Sequence, residues 1–182
     1  RGGVASEPLD YKWQYLDHLR DKIAHRIADL ERDADRAAYL VEGSIDLLDG
    51  LASRGAILYL ASGTDEQFVI AETELLGLGP YFGDRVYGAR DDYRSFSKKI
   101  LLERIRAEHG VAGTALAIFG DGHVEIENAR EVGGVGIGIA SREDGGTGWD
   151  PWKRERLLTA GARLVRIRAT AFLPLRRVRW LT

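Results

Sequence analysis

The apolar residues of this chain follow two alternating patterns. In the first they recur every three or four residues, which predicts amphipathic helices, over 9–36, 45–51, 65–76, 97–109, 124–132 and 152–160. In the second they form short, largely apolar runs, which predict strands, over 56–61, 84–88, 115–119, 135–140 and 164–167. Strands that alternate with helices predict an α/β fold with a parallel sheet and right-handed crossovers.

The first helical segment differs from the others because no predicted strand precedes it. One side of this predicted helix carries an apolar stripe, and charged residues occupy the other side. The stripe consists of Leu16, Leu19, Ile23, Ile27 and Leu30. We therefore predict two parts, a helical element over residues 1–38 and an α/β core over residues 39–182.

Composition narrows the chemistry that the chain can perform. The 182 residues carry a formal net charge of -2 and include no cysteine. Disulfides, thiolate catalysis and cysteine-bound zinc are therefore excluded, and neither a nucleic-acid nor a membrane partner is expected. No apolar run reaches the roughly 18 residues of a membrane-spanning helix, so we expect a cytoplasmic protein.

Two carboxylates follow the apolar run 115–119, in the sequence Gly120-Asp-Gly-His-Val-Glu125. Ligands of open α/β sheets bind at the carboxyl ends of strands, and carboxylate oxygens suit Mg²⁺. Asp121 and Glu125 are therefore candidate metal ligands; the alternative is a polar loop that caps a helix. His123 between them is expected to be exposed or packed in a loop.

Small hydroxyl residues and a glycine follow the run 56–61 and are expected to open a helix. A helix N-terminus offers free N–H groups and a partial positive charge that suit a phosphate, which makes Ser62 a candidate anion ligand. Thr64, with Gln67 three residues later, also forms a capping-box sequence, so Thr64 is expected only to cap the helix.

Two lysines, Lys98 and Lys99, follow Ser97 at the predicted start of a helix. Cations there oppose the helix dipole, so a chain selected only for stability would favour acids at these positions. Solvated lysines are one explanation. A lysine directed at a phosphate or carboxylate is the other, and the sequence leaves open which of the two has that role.

Taken in chain order, Ala61-Ser62-Gly63, Ser97-Lys98 and the segment 120–125 resemble motifs II, III and IV of the haloacid dehalogenase-like superfamily. The resemblance covers about residues 39–156, and the stretch 76–88 is similar to its counterpart in phosphoglycolate phosphatase-like and β-phosphoglucomutase-like members. It implies a three-layer, Rossmann-like core with a parallel sheet, and it makes residues 1–38 part of an α-helical cap.

The resemblance also implies a function: Mg²⁺-dependent hydrolysis of a small phosphorylated metabolite through an aspartyl-phosphate. Asp121 would ligate Mg²⁺, and Glu125 would ligate it through water or orient Asp121. Ser62 and Gly63 would hold phosphate oxygens, and Lys98 would stabilise the nucleophile and the transferring phosphoryl group. The sequence itself indicates neither the particular substrate nor the oligomeric state.

One part of the superfamily pattern has no match, the Asp-x-Asp-Gly-Thr of motif I that carries the nucleophile. The segment 46–50 is similar, but it has one residue too many and lies in a predicted helix, so a structural role is expected. The chain also starts with Arg1. We expect the nucleophile upstream of it, with this chain the C-terminal part of a longer hydrolase. The alternatives are a catalytically inactive binding module and a phosphomutase of the same superfamily.

The C-terminus departs from the subgroup pattern, which has an acidic segment there. Six arginines lie in a region without acids, namely Arg163, Arg166, Arg168, Arg176, Arg177 and Arg179. Such a region is either a basic surface or an aberrant end of the reading frame. A nucleic-acid binder would be a third function, but neither an aromatic stacking platform nor a known motif supports it.

Overall fold

The computed structural model describes residues 8–32, 35–89, 98–142 and 148–166. The α-helices of these ranges are α1 (Pro8–Glu31), α2 (Ser44–Ala52), α3 (Glu66–Leu75), α4 (Gly79–Phe82), α5 (Lys98–His109), α6 (His123–Glu131) and α7 (Pro151–Thr159). The strands are β1 (Leu60–Asp65), β2 (Val86–Ala89), β3 (Ala117–Gly120), β4 (Val135–Ile139) and β5 (Leu164–Arg166). Ser97 and the arginines from Arg168 onward lie outside the described residues.

The described strands form two parallel sheets. In the first, β1 pairs with β2, with Leu60 opposite Val86. In the second, the order is β3-β4-β5, with Ala117 opposite Val135. Helices α3 and α4 connect β1 to β2, α6 connects β3 to β4, and α7 connects β4 to β5. The prediction of an α/β fold with parallel strands is confirmed.

Each sheet has its own apolar core. The first core packs α3 and α4 against β2 and contains Val69, Leu78, Phe82 and Val86. The second packs α6 and α7 around β4 and contains Ile126, Ala140, Leu157 and Ala160. Burial of this kind contributes roughly 25 cal/mol per Å² of apolar surface, so these two cores hold the helices on the sheets.

Two glycines let the helices lie close to β4, as the sequence predicts for this strand. A Cβ at Gly136 would meet Cγ2 of Ile126 at 3.1 Å, and one at Gly138 would meet Cδ1 of Leu157 at 3.0 Å. Larger residues there would push α6 and α7 away from the sheet.

The first strand begins later than predicted. The apolar run predicts a strand over 56–61, whereas β1 spans Leu60–Asp65. Pairing decides this difference, because β2 begins at Val86 and this residue lies opposite Leu60. Residues 56–59 precede the paired region and have no strand beside them in the described part of the chain.

Helix α1 packs against α3. Arg26 forms an ion pair with Glu72 of α3, and Ile23 and Leu30 are buried. The division of the chain at residue 38 stays a prediction. Within the described ranges, no helix is both long and apolar enough to cross a lipid bilayer.

We predict that Leu157→Ala destabilises the protein by about 2–5 kcal/mol, because a fully buried side chain would leave a cavity against β4. The measurement is the free energy of unfolding from urea titration. The matched control is Leu158→Ala, since Leu158 is 44% exposed and should change stability by about 0.5 kcal/mol at most. Equal losses in the two variants would contradict the assigned packing of α7.

Candidate active site

The turn between β3 and α6 carries the two predicted metal ligands. Strand β3 ends at Gly120, Gly122 precedes the first turn of α6, and no side chain caps the helix. Asp121 therefore projects from the carboxyl end of the strand with 64% of its side chain exposed. Its carboxylate Oδ2 lies 3.3 Å from Nζ of Lys153.

Glu125 lies in the first turn of α6 and folds back over the two glycines of this turn. A Cβ at Gly120 would meet Cβ of Glu125 at 2.7 Å, and a Cβ at Gly122 would collide with its carboxylate. The spacing Gly-x-Gly thus makes room for the glutamate. Its carboxylate forms a partly buried ion pair with Lys98.

The two adjacent lysines of α5 have different surroundings. Lys98, the first residue of the helix, pairs with Glu125 and is about three-quarters buried. Lys99 points to α6, where its Nζ lies 2.6 Å from Glu131 at the surface. The hydrogen bond between them raises the pKa of Lys99 and lowers the pKa of Glu131. Lys99 therefore has a structural partner away from the strand ends, whereas Lys98 faces them.

The segment after residue 61 lies within β1 instead of opening a helix, so this expectation is wrong. Helix α3 begins at Glu66 with Asp65 as its N-cap, and no side-chain bond caps it. Thr64 is consequently not a capping residue. The half-buried Ser62 accepts a hydrogen bond at Oγ from the N–H of Thr64 at 3.1 Å, which leaves the hydroxyl hydrogen available for donation. Gly63 is exposed, with open space around it.

Within the described ranges, the candidate metal ligands are the carboxylates of Asp121 and Glu125, each of which contacts a lysine. No group of three acidic or histidine side chains converges there in a way that could hold a metal ion. Asp121 and Glu125 offer the oxygen donors that Mg²⁺ prefers, and each carboxylate faces a lysine. The donor type fits Mg²⁺, and further ligands would have to come from substrate, water or another segment.

Two residues near the site escaped the sequence analysis, Lys153 and Arg156. Lys153 reaches Asp121, as above, and Nη2 of Arg156 lies 2.8 Å from Nδ1 of His123, so this histidine packs against a side chain of α7. The sequence did contain a signal, because Asp150 and Pro151 form a helix start and Asp150 accepts a bond from the N–H of Lys153. The pattern fixes the helix but not which charged residue faces β3.

The segment 46–50 has the structural role that was expected for it. It lies on α2, and Oδ1 of Asp49 accepts a hydrogen bond of 2.7 Å from the Tyr81 hydroxyl. This bond raises the pKa of Tyr81.

Solved structures share the fold. A conserved haloacid dehalogenase-like protein of unknown function from Agrobacterium tumefaciens superposes with a TM-score of 0.64 at 24% identity, covering 92% of this chain and 67% of the other. A HAD family hydrolase from Deinococcus radiodurans with bound phosphate and sodium superposes with a TM-score of 0.57 at 16% identity, covering 71% of this chain and 55% of the other. A candidate β-phosphoglucomutase from Thermotoga maritima superposes with a TM-score of 0.52 at 23% identity, covering 68% of this chain and 54% of the other.

The chain thus spans between about half and two thirds of the length of these structures. No curated protein matches its sequence. A model of the haloacid dehalogenase-like hydrolase family matches residues 7–133, which include β1, α5, β3 and the turn that carries Asp121 and Glu125. The chain therefore belongs to the haloacid dehalogenase-like hydrolases.

Proposed function

We propose that this chain forms the phosphate- and metal-binding part of a Mg²⁺-dependent phosphatase that acts on a small phosphorylated metabolite. The observation that carries the proposal is the arrangement at the end of β3, where Lys98 pairs with Glu125 next to the exposed carboxylate of Asp121. At such a place Mg²⁺ and the two lysines, Lys98 and Lys153, would together offset the negative charge of the phosphate and of the two carboxylates.

Each side chain has a proposed task. Asp121 and Glu125 would hold Mg²⁺, which when bound neutralises negative charge on the phosphoryl group. Ser62 would donate its hydroxyl hydrogen to a phosphate oxygen, and the N–H of Gly63 would donate to another. The Lys98 ammonium would stabilise the charge that develops on the transferring group.

The nucleophile belongs to a further segment, because none of the described strands is followed by Asp-x-Asp. An aspartate carboxylate oxygen would bond to phosphorus while the bond to the ester oxygen breaks, and the leaving alcohol would take a proton. Water would then cleave the aspartyl-phosphate and release inorganic phosphate. Substrate choice would depend on the cap, of which residues 1–38 are the proposed part.

The second candidate function is a binding module of the same fold that holds a phosphorylated ligand without turnover. The same observation favours it, namely that the described strands lack a following Asp-x-Asp. Both candidate functions require a phosphate-binding site. Only the phosphatase requires that a nucleophilic aspartate from another segment react with the bound ester and release inorganic phosphate.

We predict that Mg²⁺ raises the melting temperature of the protein and that Asp121→Asn abolishes this rise. A cation at 100 times its dissociation constant would add about 2.7 kcal/mol. The measurement is a thermal shift against MgCl₂ concentration, in which each variant is compared with itself without Mg²⁺. Asp84→Asn is the control, since the side chain of Asp84 is exposed at the surface. An unaffected wild type, or a full shift in Asp121→Asn, would contradict the metal assignment.

We predict that Lys98→Ala weakens the binding of inorganic phosphate, measured calorimetrically with Mg²⁺ present, roughly tenfold or more. A hydrogen bond to a charged group contributes about 1.5–3 kcal/mol. Lys99→Ala is the matched control and should bind phosphate like the wild type, because Lys99 is paired with Glu131. If Lys99→Ala has the larger effect, the role belongs to Lys99.

A further inference from the structure

Helices α6 and α7 carry three side chains that have no role in the proposed phosphate and metal binding. Trp152 and Arg156 lie on α7, and His123 is the first residue of α6. Both residues of α7 lie beyond residues 7–133, the range that the family model matches. We call Trp152, Arg156 and His123 together the aromatic platform.

The three side chains of the platform contact one another in series. Trp152 and Arg156 are four residues apart on α7 and therefore share one face of this helix. The guanidinium carbon of Arg156 lies 4.3 Å from the centroid of the Trp152 ring, which is a cation–π distance. Nη2 of the same guanidinium lies 2.8 Å from Nδ1 of His123. Arg156 thus connects the indole ring to the turn that follows β3.

The hydrogen bond from Arg156 determines which nitrogen of His123 carries the hydrogen atom. A guanidinium group can only donate hydrogen bonds, so Nδ1 of His123 accepts this bond. In the neutral imidazole the other ring nitrogen, Nε2, then carries the hydrogen atom and is a donor. The platform therefore combines an aromatic face with an N–H donor, and Arg156 positions both.

The platform lies next to the candidate metal ligand Asp121. His123 follows Asp121 by two residues, so their Cα atoms are at most about 7 Å apart. Lys153, the neighbour of Trp152 in sequence, reaches the Asp121 carboxylate at 3.3 Å. A single small molecule can therefore place a phosphate near Asp121 and a ring on Trp152.

The exposure of Trp152 indicates that the platform has room for a ligand. This side chain is 65% exposed, the highest value among the large hydrophobic residues that the structure describes as exposed. Arg156 covers one face of the indole, which leaves the opposite face for a second planar π system. The guanidinium and the Nε2–H group can only donate, so a fitting ring must itself carry hydrogen-bond acceptors.

We propose that the aromatic platform binds the base of a nucleoside monophosphate, with the base stacked on Trp152 and accepting a hydrogen bond from Nε2 of His123. A nucleobase combines the two required properties, because it has a planar π-face that stacks on aromatic side chains and acceptor atoms at its edge. The ribose then spans from the platform to the phosphate near Asp121. The phosphate end of this assignment rests on the proposed function.

The test compares ligands with and without a base by calorimetry on the 182-residue chain, with Mg²⁺ present. Uridine and adenosine 5′-monophosphates carry a base, and ribose 5-phosphate is the same sugar phosphate without one. We expect at least one nucleotide to bind at least tenfold more tightly than ribose 5-phosphate, since stacking of one base contributes roughly 5–150-fold. If neither nucleotide binds more tightly than ribose 5-phosphate, the proposal is wrong.

Variants assign this preference for the base to the platform. Trp152→Ala should reduce it to about twofold or less, whereas Trp152→Phe, which keeps an aromatic face, should retain most of it. His123→Gln, which keeps an N–H donor, should retain more of the preference than His123→Ala. The matched control is Trp149→Ala, because Trp149 stacks with Arg154, which lies about 200° around α7 from Trp152. The control should keep the full preference.

An unchanged preference in Trp152→Ala, or an equal loss in Trp149→Ala, would overturn the platform. Equal losses in His123→Gln and His123→Ala would contradict the donor role of His123. Tenfold tighter binding of a single-stranded oligonucleotide than of either monophosphate would also overturn the proposal, because the ring would then belong to a nucleic-acid surface.

Free uridine and adenosine, which lack the phosphate, separate this proposal from the proposed function. If ribose 5-phosphate does not bind, the phosphate site is wrong, and the platform is then tested by whether Trp152→Ala weakens binding of the nucleoside. Lys98→Ala should weaken binding of nucleotide and ribose 5-phosphate by the same factor and leave the preference for the base unchanged. Loss of that preference in Lys98→Ala would contradict a separate subsite for the base.

Discussion

The close contact of α6 with β3 and β4 is the constraint on which the candidate site depends. Glycine at position 136 allows Ile126 to lie directly on the sheet, and glycine at position 120 leaves space for the Glu125 side chain. Ile126 is fully buried, so the helix cannot slide or rotate without opening a cavity in the second core. The orientation of α6 about its axis is therefore fixed, and this orientation holds Glu125 over the strand end, where it pairs with Lys98.

Charge pairing across elements then orders the site. Lysines from α5 and α7 approach the two carboxylates that follow β3, with Lys98 at Glu125 and Lys153 at Asp121. The Asp121 contact is exposed and contributes little to stability, about 0–1 kcal/mol. The Glu125 pair is largely withdrawn from water, so its loss would leave a charge without compensation. On the Lys98 side, a partly buried ion pair therefore holds the site in place. On the other side the Asp121 carboxylate is exposed to solvent, where a cation or phosphate can approach.

The sequence predicts an element well when its first and last residues are determined by the element's own residues. The helix after Asp121, the glycine-containing β4 and the turn with both acids are found within a residue or two of their predicted positions. The prediction is poorer where the boundary of a strand depends on the neighbouring strand with which it pairs. β1 starts at Leu60 because β2 starts opposite it, and Thr64 lies in the irregular part of β1 between the paired residues Ala61 and Asp65 instead of capping α3. Lys153 could not be assigned to the site from the sequence, since helical periodicity does not say which exposed residue faces another element.

The two parts of the proposed site lie on different sheets. Ser62 and Gly63 lie within β1, whereas Asp121 and Glu125 follow β3. Within the described ranges, β1 pairs only with β2, and β3 pairs only with β4. Lys98 and Glu125 border the cavity of about 510 Å³ that Ala61 lines from the first sheet. The groups proposed to bind phosphate and those proposed to bind metal therefore come from separate sheets, so the candidate site depends on the elements that border both sheets, such as α5, and not on either sheet alone.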